Sequence, residues 1–326
     1  MIDVTAIGEL LVDFTCTGQN SQGYPVMDAH PGGAPANFLA TLAKFGTSTA
    51  LLGKVGEDSF GHLLRNTLEQ AGISTNGLIL DPSVFTTLAF VTLDNAGERG
   101  FFFARKPGAD TQLRFEELDL SLIEQARIFH FGTLSLTHEP ARSATRMAVE
   151  YAKQMGKLIT FDPNLRLPLW ESPEDARQAI LWGLSQADIV KLSDDEGAFL
   201  FGIGPGECAA HIRACYGVKL VFVTCGANGC WFENGLARGH VETPTGIHVT
   251  DTTGAGDIFA GTAVWGLLHS AQAPESLGEA ELTKLTRFAC TAATLSTQTP
   301  GGIPSIPSPE AVYKLVSAPE KESLHD

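Results

Sequence analysis

The stretch "DTTGAGD", Asp251 to Asp257, places small residues beside carboxylates. Gly254, Ala255 and Gly256 leave their backbone N–H groups open to close approach, and the following "IFAGTAVWGLLHS" is typical of a helix. Backbone N–H groups at a helix N-terminus attract phosphate. The stretch therefore predicts an anion site. Asp257 in the first helical turn then needs an explanation, of which the simplest is that an acidic residue there complements the helix dipole.

The composition predicts a folded globular protein that does not bind nucleic acid. The chain has 326 residues, enough for one large α/β domain with or without a small accessory unit. Hydrophobic residues make up 44% and charged residues 18%, which is ordinary for a globular chain. The 22 Lys and Arg against 37 Asp and Glu give a net charge of −15, which has the wrong sign for non-specific binding to phosphate backbones.

The cysteines and the chain start indicate a soluble protein of a reducing compartment. No CxxC pair occurs, and the spacing of the six cysteines fits no common zinc site, although Cys225 and Cys230 lie close in sequence. The chain begins with no secretory signal pattern, and no apolar run reaches about 18 residues. We therefore expect free thiols, a cytoplasmic location and no membrane contact.

The first part of the chain alternates strand and helix patterns. "VTAIGELLVDF" (4–14) and "TALLGKVG" predict buried strands, whereas "ANFLATLAKFG" (36–46) and "GHLLRNTLEQAG" (61–72) predict helices that end at glycine. Between 84 and 103, two β-rich runs flank "DNAGERG", which is typical of a hairpin. An antiparallel hairpin inserted into an alternating α/β chain is a candidate lid.

The alternation resumes after the hairpin and predicts a parallel sheet with helices on both faces. "RIFHFGTL" (127–134), "GKLITFDPN" (156–164), "DIVKLS" (188–193) and "KLVFVTCG" (219–226) are short apolar strand candidates. Ligands of such sheets bind beyond the carboxyl ends of the strands. The polar tails "DPNLR", "SDDE" and "TCGANG" are therefore expected to converge on one crevice.

The motifs together resemble those of the ribokinase-like (PfkB) family of sugar kinases. The chain has neither GxxxxGK[ST] nor a dinucleotide-type GxGxxG, but "GGAPAN" (32–37) and "DTTGAGD" each enter a helix. The resemblance covers residues 4–306. "PGGAPANFLATLAKFG", "GKVGEDSFG", "GERGFFFARKPGAD" and "DPNLRLPLW" are most similar to the fructokinase branch.

This resemblance implies a fold, an activity and two alternatives. It implies one ribokinase-like α/β domain over residues 1–312, with a β-rich lid from about 13–34 and 84–110, and a C-terminal tail from 313. It also implies ATP-dependent phosphorylation of D-fructose to fructose 6-phosphate. The first alternative is a family kinase for another furanose, ketose or sugar acid, such as a riboside or 2-keto-3-deoxygluconate. The second is a non-catalytic sugar-binding homologue.

The resemblance also explains why Asp257 stands beside the anion site. Phosphoryl transfer depends mainly on positioning and on stabilisation of charge. In this interpretation the backbone of Gly254, Ala255 and Gly256 cradles the phosphates, and Asp257 accepts the proton of the attacking hydroxyl group. Base and anion site must both lie within about 3 Å of one reacting group, so the carboxylate belongs beside the anion.

Further residues match the sugar-binding positions of the family. A carboxylate and an amide offer acceptors and donors in fixed directions, which vicinal hydroxyl groups require. The simpler alternatives are a surface turn for Asp13, a helix N-cap for Asn37, and surface salt bridges for the two arginines. The residues expected at the sugar are Asp13, Gly32, Gly33, Asn37, Phe101, Phe103, Arg105 and Arg166.

The nucleotide and metal positions are implied in the same way. Where the family usually has N-x-x-E, this chain has Ser193 and Glu196, so we expect Glu196 to reach Mg²⁺ through water. Asp251, Thr253 and Ser305 match a region where relatives hold a monovalent cation such as K⁺. Relatives also pair through the lid, which implies a homodimer. The residues expected at ATP are Lys191, Thr224, Gly226, Gly229 and Gly256.

Overall fold

A computed structural model describes residues 2–93 and 99–317 of the chain. Fourteen strands occur in these ranges. They are β1 (Val4–Ile7), β2 (Leu11–Gln19), β3 (Pro25–Gly32), β4 (Thr49–Gly56), β5 (Ile73–Ser74), β6 (Leu78–Asp81), β7 (Leu88–Leu93), β8 (Arg99–Ala104), β9 (Ile128–Phe131), β10 (Leu158–Phe161), β11 (Ile189–Ser193), β12 (Leu220–Thr224), β13 (Cys230–Glu233) and β14 (Arg238–Val241).

Ten α-helices occur in the same ranges, and half of them follow a strand of the large sheet. They are α1 (Ala34–Lys44), α2 (Ser59–Gln70), α3 (Ser121–Gln125), α4 (Ala141–Gln154), α5 (Pro173–Gln186), α6 (Asp194–Phe201), α7 (Pro205–Tyr216), α8 (Ala255–Leu268), α9 (Glu279–Ser296) and α10 (Pro309–Val316). In the described part of the chain no helix is long and apolar enough to cross a membrane.

The large sheet is mostly parallel, as the sequence predicts. Its order is β14-β13-β12-β11-β10-β9-β1-β4-β5, and β6 also pairs with β4. Every pairing from β12 to β5 is parallel, whereas β13 and β14 add an antiparallel edge. Because consecutive parallel strands end at the same side, the loops after β9 to β12 meet at one edge.

Alternating side chains of this sheet pack against helices on opposite faces. Ile7, Phe129 and Val190 share a core with residues of α4 to α7. Their neighbours in sequence, such as Ala6 and Ile128, pack instead with α1, α2, α8, α9 and α10. This alternation is the two-residue period of a strand, and it confirms the predicted layers of helix, sheet and helix.

A second, smaller sheet is formed by the strands expected to make the lid. Its order is β3-β2-β7-β8. The predicted hairpin is present, because β7 and β8 pair antiparallel, while its turn at 94–98 lies outside the described residues. The ladder sets Asp13 opposite Ala89, and Ala89 opposite Phe103, so these positions share one face of the small sheet.

The prediction of a single strand over residues 4–14 is wrong, because the structure has two strands there. The chain leaves the large sheet after Ile7 and enters the small sheet at Leu11, so the run forms two strands in different sheets. Residues 4–12 are all buried, on both sides of the break, and hydrophobicity therefore could not show it. The polar run after it forms β2 and β3, which pair antiparallel.

The folded part of the chain also extends beyond the predicted boundary at 312. Helix α10 continues to Val316, capped at its start by the Ser308 hydroxyl group, which accepts from the backbone N–H of Ala311. Val312 is buried, and Tyr313 packs on Phe288 of α9. These contacts explain the extra turn. Residues 318–326 of the predicted tail lie outside the described part.

Candidate active site

The N-terminus of α8 lies at the crevice and forms the predicted glycine-rich turn. Gly254 is the N-cap and has φ of 78°, a left-handed conformation that favours glycine. A Cβ atom there would lie 2.9 Å from the Cα of Gly302, and one on Gly256 would lie 2.9 Å from the Nζ of Lys191. At Gly254 glycine is therefore required by close packing as well as by the turn, whereas at Gly256 the flexible end of Lys191 could move aside.

The Asp257 carboxylate is buried in the first turn of α8 and is held by two asparagine side chains. Asn37 donates from Nδ2 to Oδ2 at 2.8 Å, and Asn164 donates from Nδ2 to Oδ1 at 3.2 Å. Asp257 is 9% exposed, and burial raises its pKa, while the Asn37 hydrogen bond and the Lys191 charge lower it. A buried, oriented carboxylate suits a general base better than a surface helix cap.

One lysine lies among three carboxylates at the floor of the crevice. Lys191 Nζ lies 2.9 Å from Oδ2 of Asp162, and both side chains are buried. The pKa of Asp162 is raised to about 7, chiefly by burial and also by the charges of Glu196 and Asp257, against the opposing charge of Lys191. The same acidic neighbours outweigh burial and raise the pKa of Lys191, which stays cationic.

Asp13 belongs to the small sheet, and the charges of Asp257 and Arg166 both act on its carboxylate. A Cβ atom on Gly32 would lie 2.1 Å from the Asp13 Oδ2 atom, so glycine at this position makes room for the carboxylate. Burial raises the pKa of Asp13 to about 6, whereas Arg166 and His30 oppose this shift. Arg166 is exposed and also lowers the pKa of Asp257, which places its charge near both carboxylates.

Asn37 is not an N-cap. It is the fourth residue of α1, whose N-cap is Gly33, and its Oδ1 atom is buried with no hydrogen-bond partner among the described residues. Gly33 has φ of 121°, and a Cβ atom there would lie 2.6 Å from the backbone oxygen of Glu9. The amide of Asn37 thus holds Asp257 with one end and leaves an acceptor at the other.

The phenylalanines of β8 divide between the two faces of the small sheet. Phe103 shares the face of Asp13, and Phe102 lies on the opposite face, where it is 68% exposed. The side chain of Phe101 lies outside the described residues. Alternation therefore allows only part of the run to face the crevice, as the sequence predicts.

Arg105 forms a buried ion pair, so the surface salt bridge proposed from sequence is wrong for this residue. Its guanidinium group lies 2.6 Å from the carboxylate of Asp110, and both side chains are 2% exposed. It also donates to the Thr137 hydroxyl group and to the backbone oxygen of Leu134, which follow β9. Arg105 thereby ties the end of β8 to the large sheet. For Arg166, no ion pair occurs among the described residues.

The predicted nucleotide loop follows β12. Thr224 ends this strand and donates to the backbone oxygen of Leu192 at 3.3 Å. Gly226 and Gly229 have φ of 52° and 87°, and a Cβ atom on Gly229 would lie 1.9 Å from the backbone oxygen of Val241. The loop is exposed from Gly226 to Asn228, so its backbone is open to a ligand.

The predicted magnesium residues take part in a helix cap. Ser193 is the N-cap of α6, its hydroxyl oxygen accepts from the Glu196 N–H, and Glu196 Oε2 accepts from the Ser193 N–H at 2.7 Å. The other oxygen, Oε1, accepts from the backbone N–H of Leu165 at 2.7 Å. Each carboxylate oxygen of Glu196 thus accepts one hydrogen bond from a backbone N–H group. No group of three or more His, Cys, Asp or Glu in the described ranges could hold a metal.

The residues predicted to hold a monovalent cation lie on two joined loops. Asp251 accepts from the N–H and the hydroxyl group of Thr253, and from the N–H of Gly301 at 2.9 Å. The buried Ser305 donates to the backbone oxygen of Gly302. The structure thus brings both loops next to Gly254, although the side-chain oxygens already have partners.

The sequence predicted the tail "DPNLR" at the crevice but gave no role to Asp162 or Asn164, and it did not indicate Glu9 or His130. A small cavity beside Asp257 is lined by Asp162, Asn164, Glu9 and His130. Burial raises the pKa of Glu9 to about 7 and lowers that of His130 to about 3, so the imidazole is neutral. Polar residues directly after a buried strand, in "DPN", were the available signal.

The six cysteines are all free thiols, as predicted.

Comparisons with known proteins agree in placing this chain among sugar kinases. Residues 1–309 match the pfkB family carbohydrate kinase domain. Probable fructokinase-4 of Arabidopsis thaliana is 40% identical over 96% of both chains, and fructokinase-2 of Zea mays is 40% identical over 96% of this chain and 94% of its own. Among solved structures, a Xylella fastidiosa fructokinase with bound ATP has a TM-score of 0.88 and 29% identity over 96% of this chain and 98% of its own. A Vibrio cholerae fructokinase with fructose, ADP and calcium has a TM-score of 0.85 and 30% identity, covering 97% and 99%.

Proposed function

The chain belongs to the pfkB family of carbohydrate kinases, and we propose that it transfers the γ-phosphoryl group of ATP to the 6-hydroxyl group of D-fructose. The observation that carries this proposal is the position of Asp257 in the first turn of α8, directly after the turn at Gly254. The similarity to fructokinases over nearly the whole chain supports fructose as the sugar.

Asp257 acts as the general base in this proposal. Its carboxylate accepts the proton of the 6-hydroxyl group while the backbone N–H groups of Gly254, Ala255 and Gly256 stabilise the charge of the transferring phosphoryl group. Asn37 and Asn164 fix the direction of the two carboxylate oxygens. The hydroxyl oxygen then attacks phosphorus, the bond to the β-phosphate oxygen breaks, and ADP leaves.

The sugar lies between the small sheet and α8. Asp13 and Asn37 supply acceptors for its hydroxyl groups, since Asn37 Oδ1 is buried and without a partner among the described residues. Phe103 shares the face of Asp13 and covers the sugar from the small sheet. Arg166 is exposed at the edge of the site and has the charge to bridge the sugar and the phosphate.

The nucleotide lies over the loop after β12. Gly226 and Gly229 offer backbone N–H groups to its phosphates, and Lys191 provides a cation at the start of α8, beside Gly256. Each carboxylate oxygen of Glu196 accepts one backbone N–H group and keeps a lone pair. Glu196 would therefore hold a magnesium ion through water rather than directly, and such an ion would neutralise negative charge on the ATP phosphates.

Two features of the proposal concern regions around the site. The loops of Asp251 and Ser305 would hold a monovalent cation that stabilises the turn at Gly254, through their remaining lone pairs and backbone oxygens. The outer face of the small sheet, with the exposed Phe102, would pair two subunits.

A sugar panel tests the proposed substrate. Initial rates of ADP formation are measured with fructose, ribose, glucose, tagatose, a purine riboside and 2-keto-3-deoxygluconate. We expect the highest kcat/KM for fructose. A different sugar that exceeds fructose by more than about tenfold, equal to roughly 1.4 kcal/mol of transition-state discrimination, would contradict fructose while leaving the kinase activity in place. Activity with none of them would favour the non-catalytic homologue.

A further inference from the structure

We propose that Asn164 is a positioning residue for the catalytic base: its side-chain amide fixes Asp257 in the orientation that accepts the sugar proton. This inference rests on the proposed function and adds a residue to it. The amide of Asn164 donates to Oδ1 of Asp257 at 3.2 Å, while that of Asn37 donates to Oδ2 at 2.8 Å. The two amides come from different elements, the loop after β10 and helix α1, and each holds a different carboxylate oxygen.

Two donors on opposite oxygens fix the carboxylate plane, which a single donor leaves free to rotate. The remaining lone pair of one oxygen then points in a constant direction, and this is what proton transfer over a short distance requires. Asn37 is also expected at the sugar through its free Oδ1 atom. Asn164 is therefore the partner whose contact with Asp257 can be altered with the least direct effect on sugar binding.

The backbone around Asn164 is held in place from three sides. Asn164 has φ of 45°, and it is the one non-glycine residue with positive φ in the described ranges. Its own N–H donates to Asp162 Oδ1 at 3.2 Å, and the N–H of the next residue, Leu165, donates to Glu196 Oε1 at 2.7 Å. Thr133 donates through both its N–H and its hydroxyl group to the backbone oxygen of Pro163.

A non-glycine residue with left-handed backbone costs free energy and persists only where its surroundings hold it. Asparagine tolerates this conformation better than most residues, which fits its presence here. The result is a side chain aimed at Asp257 by neighbours that follow three adjacent strands, β9, β10 and β11. The same contacts give Glu196 a structural task that is independent of any metal.

The charged residues around Asp257 affect its ionisation, and therefore the dependence of the rate on pH. Lys191, Arg166, Glu196, Asp162 and Asp13 all influence it or are influenced by it through their charges. Removing a neutral amide donor changes none of these charges. A hydrogen bond donated to a carboxylate favours its ionised form, so its loss moves the acidic limb of the rate profile to higher pH.

The experiment compares Asn164→Gly and Asn164→Asp with the wild type and with Asp257→Asn. Glycine keeps the left-handed backbone and removes the amide, while aspartate keeps the size and replaces a donor with a like charge. Asn76→Gly, at an exposed position before β6, serves as the matched control for loss of an asparagine side chain. For each, kcat and both KM values are measured from pH 5 to 9, together with the thermal midpoint.

For Asn164→Gly we expect kcat to fall about 10- to 100-fold, as for loss of a hydrogen bond to a charged group, with KM values for fructose and ATP changed little. The acidic limb of the rate profile of Asn164→Gly moves to higher pH, and the acidic limb of Asn164→Asp moves further in the same direction. Asn76→Gly retains the wild-type profile. If Asp257→Asn is inactive but Asn164→Gly keeps the kcat and pH profile of the wild type, or changes only the fructose KM, the inference is wrong. If Asp257→Asn stays active, the proposed base itself is wrong.

Discussion

The Nζ atom of Lys191 lies 2.9 Å from Oδ2 of Asp162, beneath the turn that begins α8. This ion pair is buried and carries a net negative charge once Glu196 and Asp257 are included. The neighbouring carboxylates keep the lysine protonated, and burial together with the charges of Glu196 and Asp257 raises the pKa of Asp162 to about 7. The site therefore holds one fixed cation that can interact with an anionic ligand. The acidic residues around this cation keep negative charge buried in the site.

Replacement of Lys191 by Met should weaken both folding and ATP binding. It leaves Asp162 buried without a counter-charge, and breaking such a pair costs about 3–5 kcal/mol. We expect a lower urea midpoint and a higher ATP KM. The double variant Lys191→Met/Asp162→Asn removes the unpaired charge, so it should recover much of the stability but none of the ATP affinity. Recovery of both would show that Lys191 serves only the fold.

Fructose binding should weaken as pH falls through about 6. The pKa of Asp13 is raised from 3.8 to about 6, so its carboxylate is ionised above this pH and protonated below it. The protonated form offers sugar hydroxyl groups a weaker acceptor. Calorimetric titration with fructose alone should therefore give a Kd that rises between pH 7 and 5. Asp13→Asn should bind weakly throughout, and a pH dependence equal to that of the wild type would argue against this role.

Alanine at the two glycines around the turn should have different effects. Gly254→Ala places a side chain at φ of 78° and against the Gly302 backbone, so we expect a loss of about 1–2 kcal/mol in stability or more, together with a lower kcat. Gly256→Ala sits in regular helix and meets the flexible end of Lys191 instead. Its thermal midpoint should stay near that of the wild type while the ATP KM rises. Equal thermal midpoints for both variants would contradict this distinction.

Loss of the Arg105 guanidinium group should reduce the stability of the fold more than it reduces the affinity for the sugar. Arg105→Met leaves Asp110 buried and unpaired, for a cost of about 3–5 kcal/mol, whereas Arg105→Met/Asp110→Leu removes both charges and should be milder. Chemical denaturation of the three proteins measures this difference. A stable Arg105→Met with a greatly raised fructose KM would instead support the direct sugar contact expected from sequence.

The parallel sheet and the glycine-rich turn were predictable because both depend on local signals. Apolar strands at regular intervals identified the sheet, and small residues before an apolar helix identified the turn at Gly254. The break between Ile7 and Leu11 was not predictable, since residues 4–12 are buried without interruption across it. The burial of the Arg105–Asp110 pair and the contact of Asn164 with Asp257 were not predictable, because both depend on packing between elements.

The kinetic and binding behaviour of Asp257→Asn tests the central claim most directly. The amide keeps the size and much of the hydrogen bonding at the helix start, and loss of one charge favourable to the dipole costs only about 0.3–1 kcal/mol. Folding and ATP affinity should therefore survive, while kcat with fructose falls about 10²–10⁴-fold because no carboxylate accepts the hydroxyl proton. A folded, ATP-binding variant that keeps more than about a tenth of the wild-type kcat would contradict the account and leave Asp257 as a helix-capping residue.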